Sequence, residues 1–121
     1  MLELSFAVLL LAVVLGVVLA LLHLRPGRAS PPWPFGTLHG VIAATGFGLL
    51  LASLGGPVRG LTNGTAQFGV FAAALFASAL LAGLGLLALL RAGRRPGFLI
   101  ALHAGLAVTG FVVLAAYVFA G

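Results

Sequence analysis

Four apolar runs, at roughly residues 4–22, 35–54, 66–90 and 98–120, occupy most of this 121-residue chain. Each is close to the ~20 residues that an α-helix needs to cross the hydrocarbon core of a bilayer. Lipid offers no hydrogen bonds to an open backbone, so runs of this kind must close their own hydrogen bonds as helices. The expected fold is therefore all-α: a polytopic membrane four-helix bundle, forming a single transmembrane domain over residues 1–121. Composition agrees, because 63% of the residues are hydrophobic and only 6% charged, against about a quarter charged in soluble domains.

The net charge of +5 would suggest nucleic acid in a soluble protein. Here nucleic acid is not expected as a partner, and the arginines speak to topology. Arg25 and Arg28 fall in the first loop and Arg91, Arg94 and Arg95 in the third, whereas the second loop has Arg59 alone. The positive-inside rule then predicts an inner or plasma membrane protein with loops one and three cytoplasmic and both termini outside. Met1-Leu2-Glu3-Leu4 lacks the basic start of a signal peptide, so the first run is expected to be a retained helix.

Several chemistries are excluded by residues the chain lacks. Without cysteine there are no disulfides, thiolate metal sites, iron–sulfur clusters or covalent haem attachment. Glu3 is the sole acid, which removes paired carboxylates for general acid–base catalysis and a buried carboxylate for proton coupling. No residue argues for substrate turnover, so an electron carrier or subunit is expected before a stand-alone enzyme.

The chain also repeats itself. Leu38-His39-Gly40-Val41-Ile42-Ala43-Ala44-Thr45-Gly46-Phe47 returns as Leu102-His103-Ala104-Gly105-Leu106-Ala107-Val108-Thr109-Gly110-Phe111. Upstream, Arg25-Pro26-Gly27-Arg28 matches Arg91-Ala92-Gly93-Arg94, and Phe6-Ala7 aligns with Phe71-Ala72 if small gaps are allowed. We read two tandem helical hairpins, about 4–54 and 66–120, related by a pseudo-two-fold axis along the membrane normal. Small residues Ala12, Gly16 and Ala20 on helix one, and Gly69, Ala73 and Ala77 on helix three with Ala82, Gly83 and Gly85 beyond, are expected to serve close helix packing. Helix three should then lie against helix one and the histidine helices.

Between the spans, Ser30-Pro31-Pro32-Trp33-Pro34 is expected to form a stiff interfacial elbow ahead of helix two. Asn63-Gly64-Thr65 fits a turn, with Thr65 a candidate N-cap for helix three.

The duplication brings His39 and His103 to one depth, about a helical turn inside the cytoplasmic boundary, where they can face each other. Positions four and seven beyond each histidine share its helix face, so Ala43, Gly46, Ala107 and Gly110 give a small-walled slot that either takes a flat macrocycle or lets the helices approach each other. Two neutral imidazoles can occupy both axial positions of one haem iron, and Arg25, Arg28, Arg91 and Arg94 lie on the side where propionates would need cations.

This arrangement resembles a minimal form of the four-helix, bis-histidine membrane cytochromes b, in architecture and in the repeated histidine motif of helices two and four. The resemblance implies haem b, axial ligation by His39 and His103, and electron exchange with a quinone or a redox protein partner. Many such relatives hold two haems across both leaflets, whereas this chain has no histidine near the outer side; one haem and a possible homo- or hetero-oligomeric partner are implied.

Two other readings stay open. In one, the chain is a non-enzymatic membrane subunit or packing protein of a larger complex, with His39 and His103 making interhelical hydrogen bonds. In the other, the histidines bind a metal or serve transport, although zinc or copper would ordinarily require three or four ligands and only His23 is at hand to join the pair.

Overall fold

The computed structural model describes residues 1–27, 29 and 31–121. It contains four long helices: α1 (Leu2–His23), α2 (Trp33–Leu54), α3 (Phe68–Arg91) and α4 (Gly97–Ala120). All four are long and apolar enough to cross a membrane, which makes the chain a multi-pass membrane protein. Large apolar side chains such as Leu11, Val14, Phe71, Leu81 and Val112 point outward around the bundle, the inverse of a water-soluble helix and the surface that lipid tails cover.

Neighbours in sequence are neighbours in space. α1 packs on α2 and α3 on α4 as tight hairpins, and the square is completed by α2 against α3 and α1 against α4. Helices α1 and α3 occupy one diagonal and make no close backbone contact among the described residues. The expectation that helix three packs on helix one is therefore corrected. Small residues license close approach but do not specify which helix approaches, and a short connection places each helix beside its own hairpin partner.

The end of the bundle away from the arginine-rich loops is solidly filled. Leu9, Leu50, Ala72, Ala73, Phe76, Leu114 and Tyr117 form its core. Phe6 stacks on Phe111 at 5.0 Å between ring centroids and meets Phe119 edge-on at 5.3 Å, joining α1 to α4. Gly46 lets α1 come close to α2: a Cβ there would lie 2.7 Å from Leu9 Cγ and 3.2 Å from the Leu9 backbone nitrogen. At the same spot the buried Ser5 hydroxyl donates to the Gly46 carbonyl at 2.8 Å, so a polar group that would be costly in lipid is satisfied by the helix it packs on.

The loops depart from expectation in two places. Helix α2 begins at Trp33, capped by Pro32, and takes Trp33 and Pro34 into its first turn; proline is tolerated there because that turn's N–H groups have no intrahelical acceptor. Thr65 does not cap α3, whose N-cap is Gln67. Thr65 instead donates to Asn63 Oδ1 through both its backbone N–H (3.2 Å) and its hydroxyl (2.7 Å), forming the expected turn with Gly64 at φ +77°.

That loop also finishes α4. Asn63 Nδ2 donates to the Ala120 carbonyl, and Arg59 Nη2 to the Val118 carbonyl at 3.4 Å, supplying donors to carbonyls that the last helical turn leaves unpaired. At the opposite end α3 stops in a Schellman turn, with Gly93 at φ +79°, Gly93 N–H to the Leu90 carbonyl and Arg94 N–H to the Leu89 carbonyl.

The packing at Gly46 makes a direct prediction. Gly46→Ala should lower the thermal unfolding midpoint in detergent, followed by circular dichroism, with a cost of about 1–3 kcal/mol from overpacking. Gly48→Ala, where a Cβ meets nothing within 4 Å, should be neutral or slightly stabilising because alanine favours helix.

Candidate functional site: a two-histidine cavity

The half of the bundle nearer the arginine-rich loops is hollow. A cavity of about 480 Å³ lies among all four helices, within the size range of small-molecule and cofactor sites. Leu9 and Phe76 close it toward the packed end, and Gly36, Leu87, Leu90 and Ile100 line it toward the loops. The remaining wall is almost entirely Ala, Gly, Leu and Val, broken by His23, His39 and His103.

His39 and His103 come from the second diagonal, α2 and α4, and meet in the middle. Their ring centroids are 6.0 Å apart and the ring planes perpendicular. Each imidazole lies against a glycine of its own hairpin. A Cβ on Gly16 would stand 2.9 Å from His39 Cε1, and one on Gly83 would stand 2.9 Å from His103 Cε1. The rings fit between the helices because those two positions lack side chains.

Hydrogen bonding differs between the two. His103 Nδ1 is 2.7 Å from the carbonyl oxygen of Ala79, one turn before Gly83 on α3. A carbonyl can only accept, so Nδ1 carries the proton and Nε2 is left with its lone pair, the tautomer that metal-bound histidines use. On the first hairpin Ala12 stands one turn before Gly16 and its backbone faces His39. That approach is looser than the one at His103, and His39 Nδ1 makes no close hydrogen bond among the described residues. His23, at the edge of the cavity, turns its Nδ1 to the Leu19 carbonyl of its own helix at 2.8 Å.

The residues expected in the slot separate into two groups. Ala43 and Ala107 line the cavity beside the histidines. Gly46 and Gly110 lie a turn deeper and are covered, Gly46 by Leu9 and Gly110 by Leu75 and Phe76. Arg25, Arg91 and Arg94 are exposed at the end of the bundle nearer the histidines. The Arg91 guanidinium sits 4.5 Å above the Trp33 ring, a cation–π contact tying the end of α3 to the start of α2. Arg28 lies outside the described residues.

Sequence reasoning missed the roles of Gly16, Gly83 and the Ala79 carbonyl. A signal was present: Ala12 and Gly16 have the same spacing as Ala79 and Gly83. Aligning Phe6-Ala7 with Phe71-Ala72 sets Gly16 opposite Leu81 and conceals it. The match emerges once the longer first loop is allowed for, since three fewer residues separate Gly83 from His103 than Gly16 from His39.

The donor set restricts what the site can hold. Among the described residues no group of three His, Cys, Asp or Glu side chains is placed to bind a metal ion, so a bare zinc or copper centre is not provided for. A metal that brings an equatorial ring of its own needs two protein ligands. Metal–imidazole bonds of about 2.0–2.1 Å place the centroids of two opposed ligands roughly 6–6.5 Å apart, and the observed separation is 6.0 Å. Two histidines in apolar surroundings supply the ligand number that a planar metallo-macrocycle needs. Comparison of the chain with protein-family models, curated proteins and solved structures gave no match.

The glycine cradles can be checked without any ligand. In ¹⁵N-histidine NMR of the purified protein, Gly83→Ala should abolish the hydrogen-bonded Nδ1–H signature of His103 by pushing the ring off Ala79. Gly85→Ala, where a Cβ meets nothing within 4 Å, should leave that signature unchanged.

Proposed function

We propose that this protein is a small membrane haem b protein serving electron transfer, with His39 and His103 as the two axial ligands of one haem. The observation carrying this reading is the pair of imidazoles meeting at 6.0 Å across the α2–α4 diagonal inside an apolar cavity. Haem, when bound, supplies a one-electron couple. The chain's own residues do the rest: Gly16 and Gly83 admit the rings, Ala79 holds the His103 tautomer, and Ala43 and Ala107 keep the wall small. Apolar burial excludes water and, with bis-imidazole ligation, sets the potential.

Arg25, Arg91 and Arg94 are cationic company for propionates at the same end of the bundle. By the positive-inside rule that end is cytoplasmic, with both termini outside. His23 is bonded to its own helix, so a single haem site is expected, and electrons enter and leave on one side by way of a quinone or a redox protein.

A packing-subunit reading is favoured by one observation, the His103–Ala79 hydrogen bond, which joins α4 to α3 with no ligand at all. The two readings part on colour. Protein purified from haem-replete cells should show the reduced spectrum of six-coordinate haem b, lost in His39→Ala and in His103→Ala and kept in His23→Ala. A colourless wild-type protein sinks the haem proposal and leaves the subunit reading standing.

A further inference from the structure

The hollow half of the bundle is not sealed from the lipid around it. Val41 on α2 and Leu84 on α3 both line the cavity, yet they are 59% and 65% exposed on the outside. Beside Val41, Gly40 also lines the cavity, and a Cβ there would meet nothing within 4 Å. One turn nearer the loops the seam between α2 and α3 is closed, since a Cβ on Gly36 would stand 3.7 Å from Leu87 Cδ1. The repeat does not duplicate this opening: where α2 has Gly36 and Gly40, α4 has the buried Ile100 and Ala104.

Depth decides what meets the opening. Gly40 is seven residues from the start of α2 and Leu84 seven from the end of α3, which sets both about 10 Å inside the loop-side ends of their helices. Lipid presents acyl chains at that depth rather than headgroups. At the loop end of the same seam the Arg91 guanidinium stands 4.5 Å over the Trp33 ring, and Arg94 is exposed just beyond it. Arginines at this level attract anionic lipid headgroups. Below them, apolar walls disfavour water and gain dispersion contacts from hydrocarbon.

We propose that the α2–α3 seam is a lateral binding site for an anionic phospholipid, with the phosphate beside Arg91 and Arg94 and one acyl chain entering the cavity at Gly40. The proposal does not rest on the haem reading, for it concerns the chain without a cofactor.

The test uses the full-length protein, produced without haem and placed in nanodiscs of phosphatidylglycerol that carries a photoactivatable diazirine midway along one acyl chain. Sites of carbene insertion are mapped by mass spectrometry. Wild-type protein should be labelled at the cavity-facing Ala43, Ala79 and Ala107 as well as at the outward-facing Leu81 and Val112. In Gly40→Leu the inward labelling should be lost and the outward labelling kept. Gly48→Leu, at an open position away from the cavity, should behave as the wild type does. The same chain on phosphatidylcholine should label the inward positions at least ~5-fold less, the discrimination that a single arginine near the membrane surface provides. Labelling confined to outward positions in the wild type, inward labelling that survives Gly40→Leu, or equal inward labelling from the two lipids overturns the proposal. Should circular dichroism show that Gly40→Leu does not fold, the wild-type map and the comparison of the two lipids decide it.

Discussion

In a bilayer, helices gain little by hiding apolar side chains from one another, because the tails outside are as apolar as the neighbour. Association depends on close fit, and close fit on where side chains are missing. This bundle uses missing side chains in two ways. Gly46 and Gly69 are filled from the facing helices, by Leu9 in one case and by Leu54 and Tyr117 in the other, and these contacts make the dense end. Gly16 and Gly83 are filled by imidazoles, and around these the bundle stays open. The same residue type, placed about four turns apart on α3 at Gly69 and Gly83, thus separates a structural half from a hollow one.

The hollow half depends on the dense half. An apolar cavity of about 480 Å³ forgoes the dispersion contacts its lining would otherwise make, and the helices around it would close in if nothing fixed their spacing. Leu9, Phe76 and the Phe6–Phe111 stack fix it from one end. The Arg91–Trp33 contact and the Schellman turn at Gly93 constrain the other. The imidazoles are therefore presented by a frame whose rigidity lies elsewhere, which suits a site that must hold its geometry with few polar contacts of its own.

Much of the fold was legible because the membrane asks a simple question of a sequence: whether a run is long and apolar enough. All four spans were found to within a few residues. Which helices touch was not legible, since an apolar span surrounded by lipid carries no amphipathic stripe to name its neighbour. That is why α1 and α3, joined in expectation by their small residues, stand on a diagonal. At the site, His39 and His103 were conspicuous as polar residues in apolar runs, and their repeat predicted a common depth. The cradle was not conspicuous, because a functional glycine in a glycine-rich helix looks like every other one, and a two-residue error in repeat alignment separated Gly16 from Gly83.

Loop two has a consequence for how the molecule is assembled. The side chains that secure the final carbonyls of α4 come from Arg59 and Asn63, just ahead of α3. The second hairpin thus carries its own clasp: its leading strap fastens its trailing end, and no part of that closure waits on α1. Both ends of that pair are therefore joined by contacts made within the pair itself.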